Sequence, residues 1–186
     1  MIKRTFARVF TLGLAIVAVV LAAPAAAQQN SAPAPLPTTH TMLGNDVGNL
    51  SDKYVGLARV MAGKYDWRPG PGVRSVGEVL NLIVNENRML NNLLTGAPNQ
   101  GRGGMGGGTP ITDPAELQEA IRSTYATLRK TIEGLSDTDW HSGVRMFGRD
   151  LTKQGATLML LLDQHEHLGQ SIAYARSNNV VPPWSK

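Results

Sequence analysis

Apolar residues recur at three- and four-residue steps through four long stretches of this chain, and no stretch alternates apolar with polar as a half-buried strand does. The first stretch runs from about Thr41 to Ala62, with Leu43, Val47, Leu50, Tyr54, Leu57, Ala58 and Met61 on one face. Trp67-Arg68-Pro69-Gly70-Pro71-Gly72 cannot continue it. Ser75 with Glu78 three residues later forms a capping box for a second helix. Its stripe reads Val76, Val79, Leu80, Ile83, then Leu90 and Leu94, and it ends near Thr95-Gly96. Asp113-Pro114 opens a third helix to about Gly134, with Leu117, Ala120, Ile121, Tyr125, Leu128 and Ile132 inward. Residues 136–149 read as irregular, and Thr152 caps a last helix reaching about Asn178. Aromatic residues make up only 5% of the chain, so aliphatic side chains must fill the core. These features predict an all-α fold, a four-helix bundle.

Residues 1–27 have the three parts of a secretory signal: a basic start (Lys3, Arg4, Arg8), an apolar run from Phe10 to Ala23, and small residues at Ala25 and Ala27. The run is shorter than the roughly 20 residues that a spanning helix prefers, so cleavage without a stable membrane anchor is expected. No Cys follows the run, which excludes lipid anchoring there. The complete lack of Cys also excludes disulfides, thiolate metal sites and a cysteine nucleophile. Residues 28–39 read as a Pro/Ala-rich tether and residues 40–186 as the folded domain, placed in the periplasm or secreted.

The net charge of +4 comes mostly from the signal segment: without its three basic residues, 15 basic face 14 acidic residues. No basic cluster marks a nucleic-acid surface, so no nucleic-acid partner is expected. The glycine-rich run Gly101 to Gly108 lacks the Gly-Lys-Ser/Thr ending and the preceding strand of a phosphate cradle, and reads as a surface loop. No Gly-x-Ser-x-Gly turn offers a serine nucleophile.

The densest set of reactive groups is Asp163-Gln164-His165-Glu166-His167 in the last helix. Asp163 and His167 lie four apart and share a face with Met159, Leu160 and Tyr174, so they point inward. The pair suits either two metal ligands or a buried hydrogen-bonded pair. His165 falls near the opposite side and reads as a surface or helix-packing residue. Trp67 and Trp184, beside prolines, read as pins that hold loops to the bundle ends. Asn81, Asn85, Asn87, Asn91 and Asn92 read as a solvated face of the second helix, with a polar ligand groove as the alternative.

Three segments, in order, resemble the DinB-like (YfiT-like) family. They are Tyr65-x-Trp67-Arg68-Pro69-x-Pro71-Gly72-Val73-Arg74-Ser75-x-x-Glu78, then Phe147-Gly148-Arg149, then Glu166-His167-Leu168-Gly169-Gln170 followed by Tyr174, Arg176 and Val181-Pro182-Pro183. The resemblance implies an up-down-down-up bundle, often a homodimer, in which three histidines hold a divalent ion. Characterised relatives include thiol-dependent transferases and isomerases. Mapped onto this chain, the second-helix histidine is Leu82 and the first of the last helix is Asp163, while His167 is retained. Glu78 and Glu86 lie one turn either side of Leu82, and either carboxylate could reach a shifted ion, but Glu78 belongs to the capping box and Glu86 reads as solvated, so loss of the third ligand is the leading expectation.

The leading expectation is therefore an exported DinB-like domain of unknown substrate whose metal site is lost or altered and which serves in binding, for example of a small molecule. Its expected state carries no cofactor, with zinc, nickel or iron at Asp163 and His167 as the alternative. Two other functions stay open: an active metal-dependent transferase or hydrolase using Asp163 and His167, and a structural dimerising bundle of the cell envelope.

Overall fold

The computed structural model describes residues 36–98 and 109–185. The signal segment, most of the tether and the glycine-rich run lie outside the described residues. Four long helices, α1 (Thr39–Val60), α2 (Val76–Thr95), α3 (Pro114–Gly134) and α5 (Lys153–Ser177), surround one core, with a short helix α4 (Asp137–Trp140) between the last two. A hairpin of β1 (Gly143–Met146) and β2 (Arg149–Thr152) precedes α5.

The caps read from the sequence set the helix boundaries. Ser75 and Glu78 make the reciprocal capping box of α2, and Gly96 closes that helix in the left-handed conformation at φ 72°. Every early donor of α2 is satisfied: Val76 N–H by Trp67 C=O, Gly77 N–H by Tyr65 C=O, Glu78 N–H by the Ser75 hydroxyl, and Val79 N–H by Ser75 C=O. The loop before α2 is thereby clasped to the helix start. Asp113 caps α3, where its Oδ1 accepts from Ala115 and Glu116 N–H, and Thr152 caps α5. At the other end, Thr38 caps α1, so the last residues expected in the tether already belong to the bundle.

α1 and α2 each pack against both α3 and α5 and stand diagonally opposite each other. Residue pairs give the directions. Asn87 meets Thr124 and Asn91 meets Thr131, so α2 and α3 run parallel. Glu133 lies against Gly44 while Tyr125 stacks on Tyr54 at 6.1 Å, so α1 and α3 are antiparallel. Arg74 meets Tyr174 and Asn87 meets Gln164, so α2 and α5 are antiparallel. The order is up, down, down, up, with the short connection from α1 to α2 crossing a diagonal.

The region expected to be irregular contains α4 and the hairpin, so the fold is not purely helical. Strands of four residues are too short to show alternation. The two-residue turn closing Met146 to Arg149 needs positive φ at both central positions, and Phe147 (50°) and Gly148 (76°) supply it. Glycine does so freely, whereas phenylalanine is strained there. Beyond the last helix, Pro183 and Trp184 fold back over Gly56 of α1.

The core is mostly aliphatic, with Trp140 buried near the start of α1 and Tyr174 near the end of α5, but it is polar across its middle. Gln164 of α5, wholly buried, accepts from the Tyr125 hydroxyl at 2.9 Å through Oε1 and donates through Nε2 to Asn87 Oδ1 at 2.9 Å. Its main-chain carbonyl accepts from the Tyr54 hydroxyl at 2.7 Å. Asn87 in turn donates to Thr124 at 3.3 Å. One residue thus ties together all four long helices. Burial pushes both phenols well above their ordinary range, so they remain donors. Replacing Gln164 with Leu strands the Tyr125 hydroxyl and Asn87 amide in the core. Urea denaturation should show a loss of about 2–4 kcal/mol, given a cost of about 1–3 kcal/mol per stranded group. Phe147→Asn, which tolerates positive φ, should instead leave the fold unchanged and raise stability by about 0.5 kcal/mol in the same assay.

Candidate metal centre

Asp163 and Gln164 are adjacent on α5, as are Glu86 and Asn87 on α2. The hydrogen bond from Gln164 to Asn87 sets the two helices in register, which brings Glu86 beside Asp163. One turn further along α5, His167 turns its ring to the same place. Glu86, Asp163 and His167 each offer a ligand atom, all within 4.8 Å of one another.

The three groups differ in their surroundings. Glu86 is 1% exposed, and neither carboxylate oxygen has a hydrogen-bond partner. Burial, then the neighbouring Asp163 carboxylate, push its pKa up to about 8, against smaller opposing effects of the nearby Gln164 side chain and then of Arg74. Asp163 is partly exposed, and its Oδ2 stands 3.7 Å from His167 Nε2, too long for a hydrogen bond. The other ring nitrogen, His167 Nδ1, lies 3.0 Å from Gln170 Oε1.

Of the residues singled out from sequence, Asp163 and His167 do come together, at the border of the buried face of α5, whose fully buried stripe runs beside them through Gln164 and Leu168. Leu82 is buried, at 3% exposure, and contributes no donor. Glu78 is occupied by its capping box and by Arg68 at 3.4 Å, and the Ser75 main-chain N–H holds its carboxyl below the usual range. His165 lies away from the cluster and pairs with Asp46 of α1 at 2.9 Å, the helix-packing role expected of it. Trp67 packs edge-on against Tyr174 with ring centroids 5.3 Å apart.

Two expectations need correction. Glu86 is not solvated but among the most buried polar groups of the described residues. The asparagine face is not simply solvated either: Asn87 is wholly buried, Asn91 accepts from Thr131 on α3, and Asn81 holds both main-chain groups of Ile111. Periodicity alone signals this, because the apolar stripe of α2 skips from Ile83 to Leu90 and the missing step falls on Glu86 and Asn87. Gln164 interrupts the α5 stripe in the same way between Leu161 and Leu168.

The model for the DinB superfamily matches residues 54–171, well over half of the chain. The chain belongs to the DinB superfamily. Two solved structures share the fold of this DinB domain. One is the DinB-like protein YjoA of Bacillus subtilis, with a TM-score of 0.63 and 16% identity over 78% of this chain and 97% of the other. The second is a DinB-like protein of Bacillus cereus, with a TM-score of 0.63 and 17% identity over 76% and 93%. No curated protein matches the chain.

The donor set suits a divalent ion. Two carboxylates and an imidazole would neutralise it, and an unpartnered buried carboxylate such as Glu86 is the kind of group a cation satisfies. Without an ion, the buried Glu86 holds a proton at neutral pH. The folded state binds this proton more tightly than the unfolded chain does. Its contribution to stability is therefore full below the ordinary glutamate pKa of 4.5 and is lost as pH rises through about 8. Thermal melts of metal-free protein across this range should show wild type losing stability relative to Glu86→Gln, which keeps the shape but does not titrate. Parallel pH profiles for the two proteins would refute the assignment.

Proposed function

We propose that this chain is an exported DinB-superfamily protein with an altered divalent-metal site, in which Glu86 and Asp163 join the retained His167 in place of the three histidines implied by the resemblance. One observation carries the reading: the buried carboxylate of Glu86, one turn from Leu82, has no hydrogen-bond partner and faces Asp163 and His167. It supplies the third donor that sequence mapping lacked, since a catalytic site of this kind normally uses three protein ligands and leaves a position open. Mixed oxygen and nitrogen donors suit zinc, iron or nickel, and the second carboxylate moves the preference toward harder ions such as manganese.

A bound ion would supply Lewis acidity and lower the pKa of a coordinated water. The protein's part is to hold the ligands. Gln164 locks the register that pairs Glu86 with Asp163. Burial of the Glu86 carboxylate keeps water from it and strengthens any charge interaction there. The segment at residues 1–27 supports export, and the substrate is then a molecule met outside the cytoplasm.

Metal analysis of the untagged mature protein tests this reading. A stoichiometric divalent ion should co-purify or be taken up, and both Glu86→Ala and His167→Ala should lose it while remaining folded. Absence of uptake by wild type would favour the second reading, a bundle that has lost its ion and serves in binding. Leu82, an apolar residue at a family ligand position, is the observation on that side.

A further inference from the structure

His167 stands at the end of a chain of hydrogen bonds that begins on a main-chain carbonyl. The Tyr174 hydroxyl lies 3.1 Å from Arg74 C=O, Gln170 Nε2 lies 2.8 Å from the Tyr174 oxygen, and Gln170 Oε1 lies 3.0 Å from His167 Nδ1. A carbonyl can only accept, so Tyr174 must donate to it. The one hydroxyl proton is then used, and Tyr174 must accept from Gln170. The amide therefore presents its NH₂ to Tyr174 and its oxygen to the imidazole. An amide oxygen only accepts, so Nδ1 carries the proton and Nε2 keeps its lone pair, 3.7 Å from Asp163 Oδ2.

We propose that Gln170 and Tyr174 are positioning residues that fix the tautomer and orientation of His167, with the polarity of the relay set by the Arg74 carbonyl. That carbonyl is immobile because it immediately precedes Ser75, the cap around which the loop and α2 are clasped. Tyr174 is itself buried, at 7% exposure, and the Trp67 ring packs against it edge-on. The segment before α2 thus reaches the imidazole across the helix interface. A histidine that binds a metal through one nitrogen commonly donates through the other, and partners of this kind tune affinity by roughly 10- to 100-fold. The inference gains its functional weight from the metal reading above, but the tautomer can be measured without any metal.

The experiment combines side-chain ¹⁵N spectra of the metal-free protein, at mildly alkaline pH, with zinc affinity from a competing chelator. Wild type should show the proton of His167 on Nδ1. Tyr174→Phe frees the Gln170 amide to turn over, so His167 should populate both tautomers and zinc affinity should fall roughly 10- to 100-fold. Adding Gln170→Glu to Tyr174→Phe should restore the Nδ1-protonated form and the affinity, because a carboxylate can only accept. A structural role for the tyrosine alone would lower the melting temperature in both variants without moving the tautomer. A wild-type proton on Nε2, or an unchanged tautomer in Tyr174→Phe, overturns the relay. If the tautomer responds as expected but wild type takes up no zinc, the relay stands and the metal reading falls.

Discussion

Burying a glutamine at the centre of a helical bundle imposes a strict condition: each of its polar atoms must find a partner, or the core carries a cost of about 1–3 kcal/mol per stranded group. Gln164 meets that condition through Tyr125, Asn87 and, at its main chain, Tyr54, one from each of the other long helices. An aliphatic core tolerates small slips of one helix along another, because methyl groups pack against one another in many arrangements. A hydrogen-bonded centre does not. The polar belt therefore selects one register among those that hydrophobic packing alone would permit.

The metal centre follows from that register. Glu86 precedes Asn87 and Asp163 precedes Gln164, so the bond between the two amides fixes the spacing of the two carboxylates. The same register buries Glu86 beside Asp163, which raises its pKa and leaves an unpartnered carboxylate in the interior. Such a group is costly unless something compensates it. A proton on Glu86 does so in the metal-free protein, and a cation would do so more completely. A proton and a divalent ion would therefore compete for the same carboxylate.

A second set of interactions supports the site from the opposite direction. The loop before α2 closes onto that helix through its carbonyls and the Ser75–Glu78 box, and through Arg74 and Trp67 it reaches Tyr174 on α5. The segments that carry the family resemblance, around Trp67 to Glu78 and His167 to Tyr174, are therefore in contact with each other. Their co-occurrence in the sequence has a mechanical reason, since one segment holds what the other uses.

The sequence by itself determined the helices and their ends, because three- to four-residue periodicity and caps such as Ser75, Asp113 and Thr152 act over a few neighbouring residues. It also determined that Asp163 and His167 share a face, since i and i+4 always do on a helix. The hairpin escaped because four-residue strands carry too little pattern and because its turn places a phenylalanine where φ is positive. Only the tertiary structure decided that Glu86, and not Glu78, joins the pair. Both lie one turn from Leu82, and local sequence places them on similar faces. What separates them is the partner each meets: Glu78 finds its own helix terminus, while Glu86 is carried into the interior by an antiparallel α5 whose position a single buried glutamine sets. Contacts between residues 77 positions apart are fixed by packing and register, and no local pattern encodes them.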